Sequence, residues 1–179
     1  MPINVNGTKI TDVKVNGVSM NEVKVNGVVV WTRNLDLNLL NDAASAYTVT
    51  YDNGGTVSFR KNSYGQFVFT FTTPNWDNSS GFSYYAKRKT AIDMTKYSKL
   101  NIGGALSDTS GSTRFFVIIY RSSDNALLSR TEIATTTGSF SKSISLSSIN
   151  TSCYIEFWGW DTRGNKTHTL TISTFKLVI

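Results

Sequence analysis

The residue types best suited to chemistry lie close together near the end of the chain, in the stretch CYIEFWGW, residues 153–160. Alternate side chains of an extended strand point to opposite faces, so three large aromatics and one carboxylate share a face. These are Tyr154, Glu156, Trp158 and Trp160. Pyranose rings stack on flat aromatic side chains, and a carboxylate accepts hydrogen bonds from hydroxyls. The pattern therefore predicts a carbohydrate-binding face, unless the tryptophans pack under a loop or against the N-terminal segment.

Two other segments add candidates to this site. The loop DTRGN follows the stretch, and its Asp161 and Arg163 can make charge-assisted hydrogen bonds to a ligand. The loop TPNWDNSSG places Trp76 among polar residues, where an indole is hard to bury; alternatively, Trp76 caps one end of the fold. In the strand after that loop, Tyr85 shares its face with two lysines, so we include it as a candidate for the same groove.

Residues able to catalyse a reaction are poorly represented. His168 is the only histidine, Cys153 has the parity of a core residue, and no serine-nucleophile motif occurs. One histidine and one cysteine cannot supply a zinc site, and no phosphate-binding or dinucleotide-binding glycine pattern is present. Glu156 and Asp161 could serve as a carboxylate pair for glycoside hydrolysis. We expect a non-enzymatic protein with no metal and no cofactor.

The charge pattern bears on the choice of partner. The formal net charge of +6 comes from lysines and arginines scattered along the chain, so we expect no nucleic-acid partner. An acidic polymer such as a teichoic acid or a phosphorylated polysaccharide fits this charge, as does a plain solvated surface. The single cysteine excludes an intrachain disulfide. No apolar run reaches the roughly 18 residues that span a membrane, and the first residues lack a signal-peptide pattern. We expect neither membrane insertion nor a leader.

The elements that position these residues are strands. Segments rich in β-branched and aromatic residues alternate with turn-rich loops throughout residues 34–179. They are TVSFRK, GQFVFTFTT, FSYYAKRKTAI, SKLNIGGAL, TRFFVIIYR, LLSRTEIA, SFSKSISLS, CYIEFWGW and HTLTISTFKLVI. Strands of this number with polar loops indicate an all-β fold, a β-sandwich of the jelly-roll type. TRFFVIIYR is apolar on both faces, which predicts a central strand, and a change of parity near Ser173-Thr174 predicts a β-bulge.

The start of the chain carries a repeat. A Val-Asn-Gly motif recurs with a period of ten, at residues 5–7, 15–17 and 25–27. Asn-Gly between apolar runs is a strong signal for a tight hairpin turn, because both residues tolerate positive φ. Residues 1–33 therefore predict a ribbon of about six short strands with one nearly continuous apolar face. The candidate interface residues on that face are Val5, Ile10, Val13, Val15, Val18, Met20, Val23, Val25, Val28 and Val30.

A ribbon this narrow cannot cover its own apolar face. The face can pack in a symmetric oligomer, against the larger domain of the same chain, or against a different protein, and we favour the oligomer. The stretch KVNGVSMNEVKVNGVVVW resembles the V-N-G repeats of tail-associated and other virion structural proteins of phages that infect Gram-positive bacteria. That resemblance implies a virion location, and attachment or multimerisation through residues 1–33. Because phage adhesion proteins of this kind are usually trimeric, it also implies a homotrimer.

The larger module, residues 34–179, resembles a carbohydrate-binding-module jelly roll of the galactose-binding-like kind. The resemblance lies in AIDMTKYSKLNIGG, SFSKSISLSSINTSCYIEFWGW and HTLTISTFKLVI. Many such modules hold a structural calcium, but this sequence has no dense run of acidic ligands for one.

Together, the two resemblances imply a phage tail-fibre, baseplate or accessory adhesion protein. It would bind host cell-wall or capsular polysaccharide without catalysis and contact other virion proteins. The first alternative is a structural decoration or spacer protein of the virion with no glycan ligand, and the second is a small glycan hydrolase.

Overall fold

The computed structural model describes residues 4–5, 8–9, 13–15, 18–20, 22–26, 28–32, 36–108 and 113–179. The chain divides into two compact units, Met1–Asp36 with Ile179, and Leu37–Val178. Regular structure in the described ranges is β-strand, with two short 3₁₀ turns and no α-helix. These ranges contain no helix of the length and apolarity needed to cross a membrane. The predicted all-β class is confirmed.

The N-terminal unit contains three hairpins. Among the described residues of this unit, each hairpin is an antiparallel two-stranded sheet of its own. The strands are β1 (Asn4–Val5), β2 (Thr8–Lys9), β3 (Lys14–Val15), β4 (Val18–Ser19), β5 (Glu22–Val25) and β6 (Val28–Thr32). At the third turn Asn26 has φ of 51°, the left-handed conformation that an Asn-Gly hairpin turn requires.

At all three turns the hairpin registers agree with the predicted two-residue turns, and the third hairpin departs from this register farther from its turn. Val15 lies opposite Val18, as a two-residue turn dictates, whereas in the third hairpin Val23 lies opposite Trp31. The register slips between Val23 and Lys24, which leaves Val30 as an extra, bulged residue. Simple alternation along the strand does not anticipate this bulge.

The structure describes the burial of only three residues of the predicted apolar face in the N-terminal unit. Ile10 lies outside the described residues, and Val13, Met20 and Val23 are partly buried. The side chains of the others, Val5, Val15, Val18, Val25, Val28 and Val30, also lie outside the described part of the chain. The role of this face in oligomerisation stays a prediction.

The larger unit is a sandwich of two antiparallel sheets. Sheet I has the order β16-β13-β18-β10-β9, with β7 beside β18, and sheet II has the order β15-β14-β17-β11-β8, with β12 beside β17. The strands are β7 (Leu37–Asn38), β8 (Tyr47–Asp52), β9 (Thr56–Lys61), β10 (Phe67–Thr72), β11 (Phe82–Arg88), β12 (Ile92–Asp93), β13 (Lys99–Asp108), β14 (Arg114–Arg121), β15 (Leu127–Ala134), β16 (Gly138–Ser145), β17 (Ser152–Asp161) and β18 (Thr167–Val178). Each of the nine predicted segments contains a strand.

Strands β7 and β8 were not predicted, and β12 was not separated from the predicted segment FSYYAKRKTAI, which ends at Ile92. Strand β8 is an edge strand of sheet II, and residues 47–51 (YTVTY) do alternate between apolar and polar side chains, but this stretch was assigned to the transition between modules. Between β7 and β8 the chain forms two short 3₁₀ turns, Leu39–Asn41 and Ala44–Ala46. Elements as short as β7, β12 and these turns carry little periodic signal.

Aromatic side chains from both sheets fill the interior. Phe67, Phe69 and Phe71 of β10 are fully buried, as their alternation predicts. Phe157 of β17 contacts Phe59 and Phe175 of sheet I at ring-centroid distances of 5.7 and 5.1 Å. Each fully buried side chain of this size contributes about 1.5–3 kcal/mol of hydrophobic stabilisation. The core therefore ties the two sheets together and fixes the orientation of β17.

Two detailed predictions agree with the sandwich. Strand β14 lies between β15 and β17, and its residues from Phe115 to Ile119 are buried on both faces. In the β13–β18 pair Gly103 lies opposite Thr174 but Gly104 lies opposite Ile172, so Ser173 is the bulged residue. The bulge lets both halves of β18 face the interior.

Candidate functional site

The candidate site is the outer face of sheet II, and β17 is the strand at its centre. Cys153, Ile155 and Phe157 point inward and are fully buried. The intervening side chains point outward: Tyr154, Glu156, Trp158 and Trp160. Antiparallel pairing with β11 and β14 places outward side chains of those strands beside each of them. The face therefore consists of cross-strand rows that the sequence alone does not reveal.

The central row is aromatic. Trp158 lies between Tyr85 of β11 and Phe116 of β14, at ring-centroid distances of 6.3 and 4.8 Å and interplanar angles of 10° and 25°. The guanidinium carbon of Arg130 in β15 lies 4.2 Å from the Trp158 ring centroid and 4.3 Å from that of Phe116. Trp158 is therefore half-buried and partly covered by a cation. It is not an open stacking platform.

The next row contains the carboxylate. Glu156 lies opposite Lys87 of β11 and Ile118 of β14, and only 7% of its surface is exposed. The hydroxyl of Tyr120 donates to its Oε1 at 3.2 Å. Burial raises the pKa of Glu156, while the Tyr120 hydrogen bond and the Lys87 charge act in the opposite direction. Burial and the neighbouring Glu156 raise the pKa of Tyr120 to about 12, so it stays a donor at neutral pH.

Lys87 connects this row to the end of the face at Tyr154. Its Nζ lies 4.8 Å from the ring centroid of Tyr120 and 5.0 Å from that of Tyr154, and it donates to Oδ1 of Asn125 at 3.1 Å. Around it lies an open depression of about 360 Å³. Every side chain that lines it carries a polar group: Thr48, Thr50, Lys87, Arg88, Lys89, Asn125, Tyr154 and Glu156. Such a lining offers donors and acceptors to a ligand that carries hydroxyls.

The opposite end of the face is built around Trp160. It lies opposite Ser83 and Arg114, and the Arg114 guanidinium carbon is 6.0 Å from its ring centroid. Its indole packs on Gly81, where φ is 83° and a Cβ would overlap the ring. A second depression, of about 550 Å³, lies here. Its lining residues are Thr113, Arg114, Glu132, Thr135, Thr136, Trp160 and Thr162.

Asp161 does not belong to this face, which corrects the expectation that it contacts a ligand. It is the last residue of β17 and has inward parity, and its side chain is fully buried. Its Oδ2 accepts from the Thr113 hydroxyl at 3.1 Å and lies 2.9 Å from Nε2 of the equally buried His168. Glu156 and Asp161 point to opposite sides of β17, so they do not form a carboxylate pair around one ligand.

Arg163 and Trp76 lie in loops rather than in the rows of sheet II. Arg163 is exposed, and its backbone N–H donates to Asp161 Oδ1 at 3.0 Å. Trp76 is 56% exposed, and its ring meets Phe82 edge-on at 6.2 Å. Because Phe82 has inward parity, Trp76 lies at a loop end of the sandwich, in line with the alternative that it caps the fold.

Four side chains of this face were not among the predicted site residues: Lys87, Phe116, Tyr120 and Arg130. Phe116 and Tyr120 lie in TRFFVIIYR, which is apolar on both faces. That pattern predicts that both faces of the strand are covered, but it does not identify the side chains that cover the outer face. Arg130 lies in LLSRTEIA, where alternation alone gives it no special position. Among the described residues, no group of three or more His, Cys, Asp or Glu side chains is placed to hold a metal ion.

Comparison with known proteins finds similarity in structure only. No family model matches the chain, and no curated protein matches its sequence. A family 11 carbohydrate-binding module of a cellulosomal cellulase of Clostridium thermocellum matches with a TM-score of 0.51 and 13% identity, over 80% of this chain and 94% of that one. The larger unit has the β-sandwich fold of carbohydrate-binding-module jelly rolls.

Two further solved structures show the same fold. A family 11 module from Clostridium thermocellum in complex with a β-1,3-1,4-mixed-linked tetrasaccharide matches with a TM-score of 0.50 and 12% identity, over 80% of this chain and 95% of that one. The enzymatically active domain of tailspike protein 4 of bacteriophage CBA120 matches with a TM-score of 0.50 and 11% identity. That match covers 75% of this chain but only 20% of the tailspike chain.

Proposed function

We propose that this chain binds carbohydrate without catalysis, and that the glycan lies on the outer face of sheet II. The observation that carries the proposal is the face itself, with polar depressions at both ends and Tyr154 and Trp160 partly exposed beside them. Along β17, Tyr154 and Trp160 are six residues apart, or about 20 Å at about 3.3 Å per residue. A face of this length accommodates several sugar units.

The face offers the two kinds of contact that sugars use. Tyr154 and Trp160 supply apolar ring surface for the C–H faces of the sugar. Near Tyr154, the side chains of Glu156, Lys87 and Asn125 supply polar atoms that their own hydrogen bonds already hold in place. Such preorganised groups lose little side-chain entropy when a ligand binds, which favours affinity. Trp158 packs against Tyr85, Phe116 and Arg130 and so stabilises the face, but it is not the main stacking surface for a sugar.

A hydrolytic role has less support. Glycosidases place two carboxyl groups about 5–9.5 Å apart around the scissile bond. Glu156 faces outward while Asp161 is enclosed on the other side of the same strand. The fold likeness to an enzymatically active tailspike domain does not carry that enzyme's activity to this chain, since it shows the fold alone.

For the biological setting we propose a phage virion, with the N-terminal hairpins as the attachment and oligomerisation segment. The V-N-G repeat supports this setting, and the fold likeness to a tailspike domain is in keeping with it. Several copies held together would convert weak binding of each site to host cell-wall or capsular polysaccharide into firm adhesion. Light scattering on the full chain checks this part: a trimer is expected, and a monomer contradicts it.

A structural virion protein with no glycan ligand is the second candidate. One observation favours it: Trp158 is half-buried under Arg130, and its indole Nε1 is buried without an acceptor among the described residues. Under that alternative the aromatic row contributes to stability or to a subunit contact.

The test is binding of the full chain to a panel of bacterial cell-wall and capsular polysaccharides. Tyr154→Ala should weaken binding by about fivefold or more, as truncation of an interface anchor does. Tyr64→Ala is the matched control, because Tyr64 is 86% exposed in the turn between β9 and β10 of sheet I. No binding to any polysaccharide contradicts the function, and equal losses in the two variants contradict the site.

A further inference from the structure

The Arg130 guanidinium has an unusual environment on the proposed ligand face. Arg130 is exposed on β15, and its charged group lies over the rings of Trp158 and Phe116. Among the described residues its guanidinium makes these ring contacts and neither a hydrogen bond nor an ion pair. An arginine side chain is costly to order, and the two rings hold this one in place before any ligand arrives. Its five N–H donors therefore remain available on an exposed, positioned group.

We propose, resting on the proposed carbohydrate-binding function, that the glycan is acidic and that Arg130 anchors one of its anionic groups. The planar fork of a guanidinium matches the two oxygens of a carboxylate or a phosphate and binds them through paired charge-assisted hydrogen bonds. A neutral sugar would gain less binding free energy at this position, because Arg130 covers part of the Trp158 ring on which the sugar would stack.

The acidic side chains on this face are already paired, so they repel an incoming anion less than unpaired carboxylates would. Glu132 is engaged by Arg114 at 3.6 Å, and Asp52 accepts from the Tyr85 hydroxyl at 3.0 Å. Glu156 is recessed and accepts from Tyr120, with Lys87 directly opposite it. Each acid on these strands thus has a donor or a cation beside it.

A second cation lies across the strands from Arg130. Pairing sets Lys87, Glu156, Ile118 and Arg130 in one row over four neighbouring strands. Three interstrand steps of about 4.8 Å place the backbones of Lys87 and Arg130 about 14 Å apart. Lys89 also lines the depression beside Lys87. A polymer that runs across the strands can therefore place one anionic group at Arg130 and another near Lys87 and Lys89.

Two kinds of glycan share this chemistry. A uronic acid offers a carboxylate, and a sugar-phosphate or polyol-phosphate polymer offers a phosphodiester; each presents two oxygens to the guanidinium. The geometry of Arg130 fits both, so the experiment includes both.

The experiment measures the affinity of the full chain for immobilised wall and capsular polysaccharides at low ionic strength. The panel contains neutral glucans and galactans, uronate-containing capsules and glycerol-phosphate polymers. Each uronate polymer is paired with its carboxyl-reduced form, which keeps the backbone and loses the charge. We expect the tightest binding among the acidic members, a loss of about tenfold on carboxyl reduction where a uronate is bound, and weakening by added salt.

Variants assign the effect to Arg130. Arg130→Ala should weaken acidic-polymer binding by about tenfold, and Arg130→Lys should recover only part of it because the fork is lost. Arg60→Ala removes the same charge from an exposed position on β9 of sheet I and should change little. The inference is overturned, with the proposed function intact, if neutral polysaccharides bind best or if Arg130→Ala matches Arg60→Ala. If nothing on the panel binds, both are overturned.

Discussion

Sheets I and II share an antiparallel arrangement and a common aromatic interior, but their outer faces differ in chemistry. On sheet I small hydroxyl side chains pair with one another across the strands, with Thr70 and Thr169 at 3.1 Å and Thr72 and Thr167 at 2.9 Å. On sheet II rings and charged groups occupy the equivalent positions, from Tyr154 to Trp160. These threonine pairs of sheet I satisfy each other's hydroxyls, whereas the outer face of sheet II carries a row of large aromatic side chains.

This difference shows that the fold does not determine where a ligand binds. Both sheets bury the same kind of inward residue, and either outer face could have been the functional one. What distinguishes sheet II is the identity of its outward side chains and the order of its strands, which brings β11, β14 and β15 beside β17. Substitutions on the shared interior and on the two outer faces therefore separate stability from binding.

The largest effect is expected in the interior. Phe157→Ala should lower the free energy of unfolding by about 3–5 kcal/mol, because it removes a fully buried ring that contacts both sheets. Denaturant unfolding measures it. Phe116→Ala is the comparison on the outer face of the same sheet and should cost clearly less, since Phe116 lies outside the shared core cluster. Equal losses would mean that the outer aromatic row is a second structural core.

The next largest effect is expected on polysaccharide affinity, and it distinguishes the outer face of sheet II from the loop around Trp76. Trp160→Ala should reduce polysaccharide affinity by about 1–2 kcal/mol, as loss of an aromatic anchor does, whereas Trp76→Ala should have little effect. Both are tryptophans with exposed surface, so their chemistry is matched. Trp160→Phe keeps part of the packing on Gly81 and controls for misfolding. The reverse ranking would move the site to the loop end around Trp76.

A smaller effect concerns the recessed carboxylate and pH. Because burial raises the pKa of Glu156, the folded chain holds this proton more tightly than the unfolded chain does. The Glu156 contribution to stability therefore falls as the pH rises above the ordinary glutamate value of 4.5, and levels off once the folded carboxyl is ionised.

Glu156→Gln cannot ionise, so this fall should disappear from a pH series of denaturant unfolding curves. Tyr120→Phe removes a hydrogen bond that lowers the pKa of Glu156 and should extend the fall to higher pH. A pH profile of stability unchanged by Glu156→Gln would contradict a recessed, desolvated carboxyl.

The smallest effect is expected on sheet I. Thr70→Val removes one hydroxyl of the Thr70–Thr169 pair and should change stability by at most about 1 kcal/mol, the range of cross-strand pairs. It should leave polysaccharide affinity unchanged, as measured on the same panel. Loss of binding in this variant would show that the hydroxyl face of sheet I also takes part.

Much of the fold follows from local patterns. Alternation of Phe67, Phe69 and Phe71 with smaller residues defines an inward face, and the change of parity at Ser173 requires a bulge. These features depend on neighbours along the chain. The edge strand β8 carries a similar alternation of tyrosine and valine with threonine, and it was missed because the stretch was assigned to the transition between modules.

The site follows from the sequence only where it stays within one strand. CYIEFWGW indicates which residues share a face, but not that Tyr85, Phe116 and Arg130 surround Trp158, since those residues lie on three other strands. The error at Asp161 has a similar cause. Placing Asp161 in the loop overlooked that β17 extends one residue beyond Trp160, and that parity turns this residue inward.

The central claim, a glycan on the outer face of sheet II, is tested most directly by the indole N–H signals in nitrogen-15 NMR spectra of the full chain. The ligand is an oligosaccharide cut from the tightest-binding polysaccharide of the panel. The signals of Trp158 and Trp160 should shift with saturation, while that of Trp76 stays in place. A shift of Trp76 alone, or no shift of any indole at saturating ligand, would contradict the account.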